Sequence, residues 1–164
     1  MKYEKLLNLF TLKGDVYRPQ FAKPNKANGT VHATDAEALI FFDDKLAPNV
    51  ETNSKYPDIR LVVPDSNCNT IMNMESLTVL LSKPIKELKG KYLNLGERFI
   101  EAKNLHKLVK VHKALKEKVF MVYDSDHIIN RPFVFKVGEV TVVLVQVVGE
   151  MNSEHYIGEY ERLS

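Results

Sequence analysis

Apolar residues recur at two different spacings along this chain, and the switches between them predict its elements. Tyr3, Leu6, Leu7 and Phe10 stand at i, i+3, i+4 and i+7, which puts them on one side of a helix over Lys2 to Leu12. The Gly14-Asp15 pair ends that helix, and Arg18-Pro19 keeps the chain extended. Gln20 to Lys23 reads as a short strand, Asn28-Gly29 as a type I′ hairpin turn, and Thr30 to Thr34 as the returning strand. Ala36 to Phe42 follows as a strand with Ala38, Ile40 and Phe42 on one face and Leu39 and Phe41 on the other. Both of its faces are expected to be covered.

From Asp43 to Lys89 the pattern loosens. Pro48, Pro57, Pro64 and Pro84, with Asn49, Asn53, Asn67, Asn69 and Asn73, punctuate loops around two apolar pieces. Ile59 to Val63 reads as a strand, and Met74 to Leu81 as a strand or a short helix. Regularity returns with a strand over Lys91 to Leu95, a helix over about Asn104 to Lys118, and three strands in succession. Those strands are Val119 to Tyr123, Ile128 to Val137 and Val140 to Val148, joined by a turn at Asp124 to His127 and a Gly138-Glu139 hairpin. The order is β-α-β-β-β. The last strand is nearly all apolar, so helices are expected on one of its sides and other protein on the other.

The second helix separates its residues sharply. At about 100° per residue, Leu105, Leu108, Val109, Val111 and Leu115 share one face. Lys103, Lys107 and Lys110 lie opposite, with Lys113 and Lys118 at the margin. Lysines on an exposed helix are ordinarily solvating residues. Here six lysines between Lys103 and Lys118 meet only Glu117, and a positive stripe on a rigid rod can follow phosphates without reading bases.

Composition narrows the setting. A chain of 164 residues with 45% hydrophobic content supports one domain with a real core. Net charge is only +2, so any electrostatic function must come from local segregation of charge. One cysteine, Cys68, excludes an internal disulfide framework and a cysteine-based zinc site, and fits a reducing compartment. With no apolar run long enough to cross a bilayer and no signal-type segment, a cytoplasmic protein is expected.

Catalytic chemistry finds little purchase. Asp124 and Asp126, with Asp43 and Asp44, supply carboxylates of the kind that hold hard cations, but Asp-Ser-Asp-His is also an ordinary polar turn. The histidines lack zinc-helix spacing, and neither a phosphate loop nor a nucleophile elbow occurs. His112 falls on the apolar side of the second helix, where a hydrogen-bonded core histidine is favoured over a ligand or base. No catalytic residue, metal or cofactor is expected.

The run Tyr92-Leu93-Asn94-Leu95-Gly96, the helix from Leu105 to Leu115, Val119 to Asp124, and the hairpin ending in Val142 to Val148 together resemble half of a domain of the bacterial sliding clamp, the β subunit of the replicative polymerase. Gly29 to Asp35 followed by Leu39 to Phe42 is similar to the clamp strand that enters an Ala-Thr-Asp turn. The resemblance implies an α+β, DNA-clamp-like fold of two β-α-β-β-β halves, with two helices packed on one face of antiparallel sheets. It also implies that Lys103, Lys107, Lys110 and Lys113, with Lys2 and Lys5 from the first helix, face duplex DNA.

That family carries three such domains per chain and closes as a dimer, whereas this chain spans one, residues 1–164, and would need six copies to close the same ring. Its first helix has no leading strand, residues 43–89 form an irregular insertion, and residues 150–164 a polar C-terminal tail. Where the family ends on a Met-Pro-Met type partner pocket, this chain has Val147-Val148-Gly149. The expected function is therefore sequence-independent contact with duplex DNA, or with a DNA-processing protein, as a processivity or replication accessory factor that forms a homo-oligomer. The alternative is a non-catalytic protein-interaction module that keeps the clamp-like fold without the ring.

Overall fold

Asn28 and Gly29 both take positive φ, 54° and 80°, which is what a two-residue type I′ turn demands and what this pair tolerates best. They join β1 (Asn25–Ala27) to β2 (Thr30–Thr34), and β2 pairs in turn with β3 (Ala38–Asp43). A second antiparallel meander comes from β7 (Val119–Tyr123), β8 (Phe133–Val137) and β9 (Val140–Leu144), turning at Gly138. The two meanders fuse where β3 pairs with β9, Ala38 opposite Leu144. With β4 (Thr70–Ile71) on β7, the sheet has seven strands in the order β1-β2-β3-β9-β8-β7-β4. A smaller sheet sets β5 (Tyr92–Asn94) between β6 (Phe99–Glu101) and β10 (Tyr156–Glu159). This computed structural model describes residues 2–59, 63–95, 98–124, 132–147 and 156–160.

One face of the large sheet carries the helices. Alternation sends Val31, Ala33, Ile40, Phe42, Phe133, Phe135, Val142 and Leu144 to that face. There they meet Leu6, Leu7 and Phe10 from α1 (Lys2–Asn8) and its end, and Leu105 and Leu108 from α4 (Ala102–Leu115). Two helices on one face is the arrangement the clamp resemblance implies. Each such fully buried aliphatic side chain contributes about 2 kcal/mol of transfer free energy, so this face holds most of the stability.

Several boundaries differ from expectation for local reasons. The first helix stops at Asn8, because Leu9 and Phe10 donate to the carbonyls three residues back and Thr11 Oγ1 donates to Asn8 O. Gln20 to Lys23 is no strand: Pro19 starts a 3₁₀ turn through Ala22, its fixed φ suiting the first helical position. Met74 to Leu81 resolves as α2 (Met74–Leu80), whose N-terminus is capped by Asn73 Oδ1 accepting from Ser76 N–H. The expected helix from Asn104 to Lys118 runs instead from Ala102 to Leu115, ending where Lys116 turns left-handed. The middle of the expected Ile59–Val63 strand, most of the 124–127 turn and the beginning of the 128–137 strand lie outside the described residues.

Residues 43–89 contribute side chains to both faces of the large sheet. Within them α2 and α3 (Ile85–Leu88) bury Met74, Leu77, Leu81 and Leu88 in the main core. Other residues of the same stretch, Ile59 and Val63, pack on the opposite face against Leu39, Val134 and Val143. The second face of β9 is thus covered by this chain itself. The tail joins in too: β10 runs parallel to β5, and Tyr160 is buried in the main core.

Candidate nucleic-acid interface

Helix α4 lies across the sheet because its apolar positions repeat at helical spacing, leaving Lys103, Lys107, Lys110 and Lys113 on its outer side. The structure divides these four. Lys107 is half-buried, ion-paired with Asp35 and seated 5.6 Å from the ring centre of Phe10. Lys103 donates to Glu37 at 2.8 Å and lies 3.2 Å from Glu101, and these carboxylates, Glu37 foremost, push its pKa above the usual lysine range. The stripe is therefore half neutralised at its N-terminal end. The sequence hides this because the acids stand on the β2–β3 turn, 72 positions away in the case of Asp35.

The turn is built to present them. Asp35 Oδ1 accepts from the N–H groups of Glu37 and Ala38 at 2.9 and 2.8 Å, while Ala36 between them takes φ 79°. This Asx-type geometry fixes one carboxylate oxygen and leaves Oδ2 aimed at Lys107.

Lys110 and Lys113 keep their charge in the open. Lys113 is exposed and Lys110 half-exposed, and neither has an acidic partner among the described residues. Half-buried His106 shares their flank; burial first, then Lys110 and Lys113, hold its pKa below the ordinary imidazole range. On α1, Lys2 and Lys5 are both exposed, and Lys2 rests 5.5 Å from the centre of the Tyr3 ring, which itself packs on Phe42. The open cations of the two helices thus share the helical layer.

The other sequence candidates have structural partners. Asp124 pairs with Arg98, and Asp43 Oδ1 accepts from Lys45 N–H to cap a 3₁₀ turn; Asp126 lies outside the described residues. His112 donates through Nδ1 to the Glu117 carbonyl at 2.8 Å, closing the C-terminus of α4. It is hydrogen-bonded, as the sequence favoured, but half-exposed at the helix end rather than part of the core.

No protein-family model matches this sequence, and no curated protein does either. Solved structures do. The DNA polymerase III β chain of Streptococcus pneumoniae TIGR4 superposes with a TM-score of 0.61 over 92% of this chain and 63% of its own, at 8% identity. The fold is that of the sliding clamp. The DNA polymerase III β subunit of Pseudomonas aeruginosa gives the same clamp likeness at a TM-score of 0.57 and 9% identity, over 92% of this chain and 63% of its own. A putative DNA polymerase III β subunit from Eubacterium rectale reaches 0.53 at 13% identity, over 93% and 65%. This chain spans less than two thirds of the length of each of these clamp structures. At such identities the clamp fold is shared while most side chains are not, so the charges of α4 and α1 must be argued on this chain's own residues.

Among the described residues no helix is long and apolar enough to cross a membrane.

Proposed function

We propose that this chain is a clamp-like, DNA-associated protein that touches duplex DNA through its helical face without reading sequence. The observation that supports it is the position of the open cations. In a clamp fold, Lys2 and Lys5 on α1 and Lys110 and Lys113 on α4 stand on the helix layer, and lysines there meet phosphates as point charges. Lys103 and Lys107 act in this reading as anchors of the β2–β3 turn rather than as contacts. A processivity or replication accessory role follows from the same fold, with a homo-oligomer as the assembly that would close a ring.

Fluorescence anisotropy with labelled duplexes of unrelated sequence tests it. Four phosphate contacts imply a slope near −3.6 in log affinity against log salt, so binding is expected to fall about a hundredfold between 50 and 200 mM salt. Lys110→Glu with Lys113→Glu should weaken all duplexes about equally. Absence of binding at low salt would remove the DNA-contact reading.

A specific feature favours a second reading, that of a non-catalytic interaction module. Val16 and Tyr17 are 82% and 91% exposed on a loop that Asp15 organises, its carboxylate accepting from the backbone of Tyr17 and Arg18 and pairing with the Arg18 side chain at 3.0 Å. An aromatic held in place at a loop tip is a common anchor for a partner protein. Light scattering separates the two: six copies fit encirclement, and a monomer with no duplex affinity fits the module.

A further inference from the structure

Lys83, Lys86 and Lys89 repeat every third residue, and all three are exposed. They do not splay apart. With half-buried Lys91, Glu87 and Ile157 they line one shallow cleft of about 410 Å³ at the end of α3. Like charges converging on a concave surface repel one another, and a concave cationic wall focuses field on whatever anion enters. Glu87 is the single carboxylate among the lining residues.

The cleft is built around α3, which touches α4. Taking Lys103 as the crest, helical spacing puts Lys107 about 40° to one side and Lys110, His106 and Lys113 about 20°, 60° and 80° to the other. Ala102 and Val109 fall further round on that second side, and both are buried. Both α2 and α3 touch α4, and Ala102 N–H donates to Lys91 O at 2.9 Å. Lys91 of the cleft wall is thus one hydrogen bond from the N-terminus of α4.

We propose that the cleft formed by Lys83, Lys86 and Lys89 is a second phosphate-contact site for duplex DNA, beside the helix that carries Lys110 and Lys113. The inference rests on the reading that the helical face meets duplex. Among the described residues Ile157 is the one apolar side chain besides the lysine stems in the cleft wall, which gives a peptide no deep anchor, whereas a phosphate backbone needs only charge.

The test uses the full chain and three variants in duplex-binding titrations at several salt concentrations. In Lys83→Gln/Lys86→Gln/Lys89→Gln the salt slope is expected to shallow by 2 to 3, since each lost phosphate contact removes about 0.9. Lys83→Arg/Lys86→Arg/Lys89→Arg keeps the charge and should keep the slope. Unchanged circular dichroism melts exclude unfolding as the cause, because all three side chains are exposed. If the glutamine triple binds like the parent while Lys110→Gln/Lys113→Gln loses affinity, the cleft inference falls and the DNA reading stands. If the parent chain binds no duplex at low salt, both fall.

Discussion

His32 shows how one residue ties stability to pH. Its side chain is 2% exposed on the sheet face opposite the helices; Asn25 Nδ2 donates to its Nε2 at 3.0 Å, and Tyr56 meets the ring edge-on at 4.7 Å. The Nδ1 proton this implies has no partner among the described residues. Burial outweighs the upward pull of Asp58 and holds the pKa down to about 4 from 6.5. Between those values the unfolded chain binds more protons than the native one, so stability is full above about pH 6.5 and is lost as pH falls toward 4. The loss is expected to reach roughly 3 kcal/mol. Urea titrations across that window should show it, and His32→Gln should flatten the profile. Lys107 carries a parallel lesson at the same scale. Its position on the helix wheel is the one expected, yet Asp35 and the Phe10 ring claim its charge.

Among the elements, α3 departed most from expectation, while α2 settles the choice between strand and short helix left open for Met74 to Leu81. Proline and asparagine punctuation makes residues 43–89 read as loop, and a helix of seven residues and one of four are too short for apolar periodicity to stand out. Their contribution to the core is nonetheless large, since Leu77 and Leu88 are both fully buried. Leu77→Ala and Leu88→Ala are each expected to cost about 2 to 5 kcal/mol in chemical denaturation. Val79→Ala, at a position 69% exposed, should cost under about 0.5. A small effect at Leu77 or Leu88 would mean that the segment is peripheral after all. By contrast α4, β7 and both hairpins were legible within a few residues, because a 14-residue amphipathic helix and an Asn-Gly turn declare themselves locally. The lysine spacing at 83, 86 and 89 was equally visible, but nothing in the sequence said that the three share one cleft.

At the level of the whole molecule, the β3–β9 pairing merges two halves into one sheet, and the core beneath the helices draws on both. One cooperative transition is therefore expected, with far-ultraviolet circular dichroism and tyrosine fluorescence giving coincident urea midpoints. Separate midpoints would show that the halves fold independently. The sequence by itself determined the order of most elements, the buried side of α4, both faces of β3 and the likeness to a clamp domain. Each of these follows from backbone geometry acting over a few residues, so a linear pattern suffices. Only the tertiary structure decided which lysines keep an open charge, what covers the outer face of β9, and that Lys83, Lys86 and Lys89 line one cleft. Those outcomes depend on distances between residues far apart in the chain, and Coulombic pairing and burial are set by distance in space.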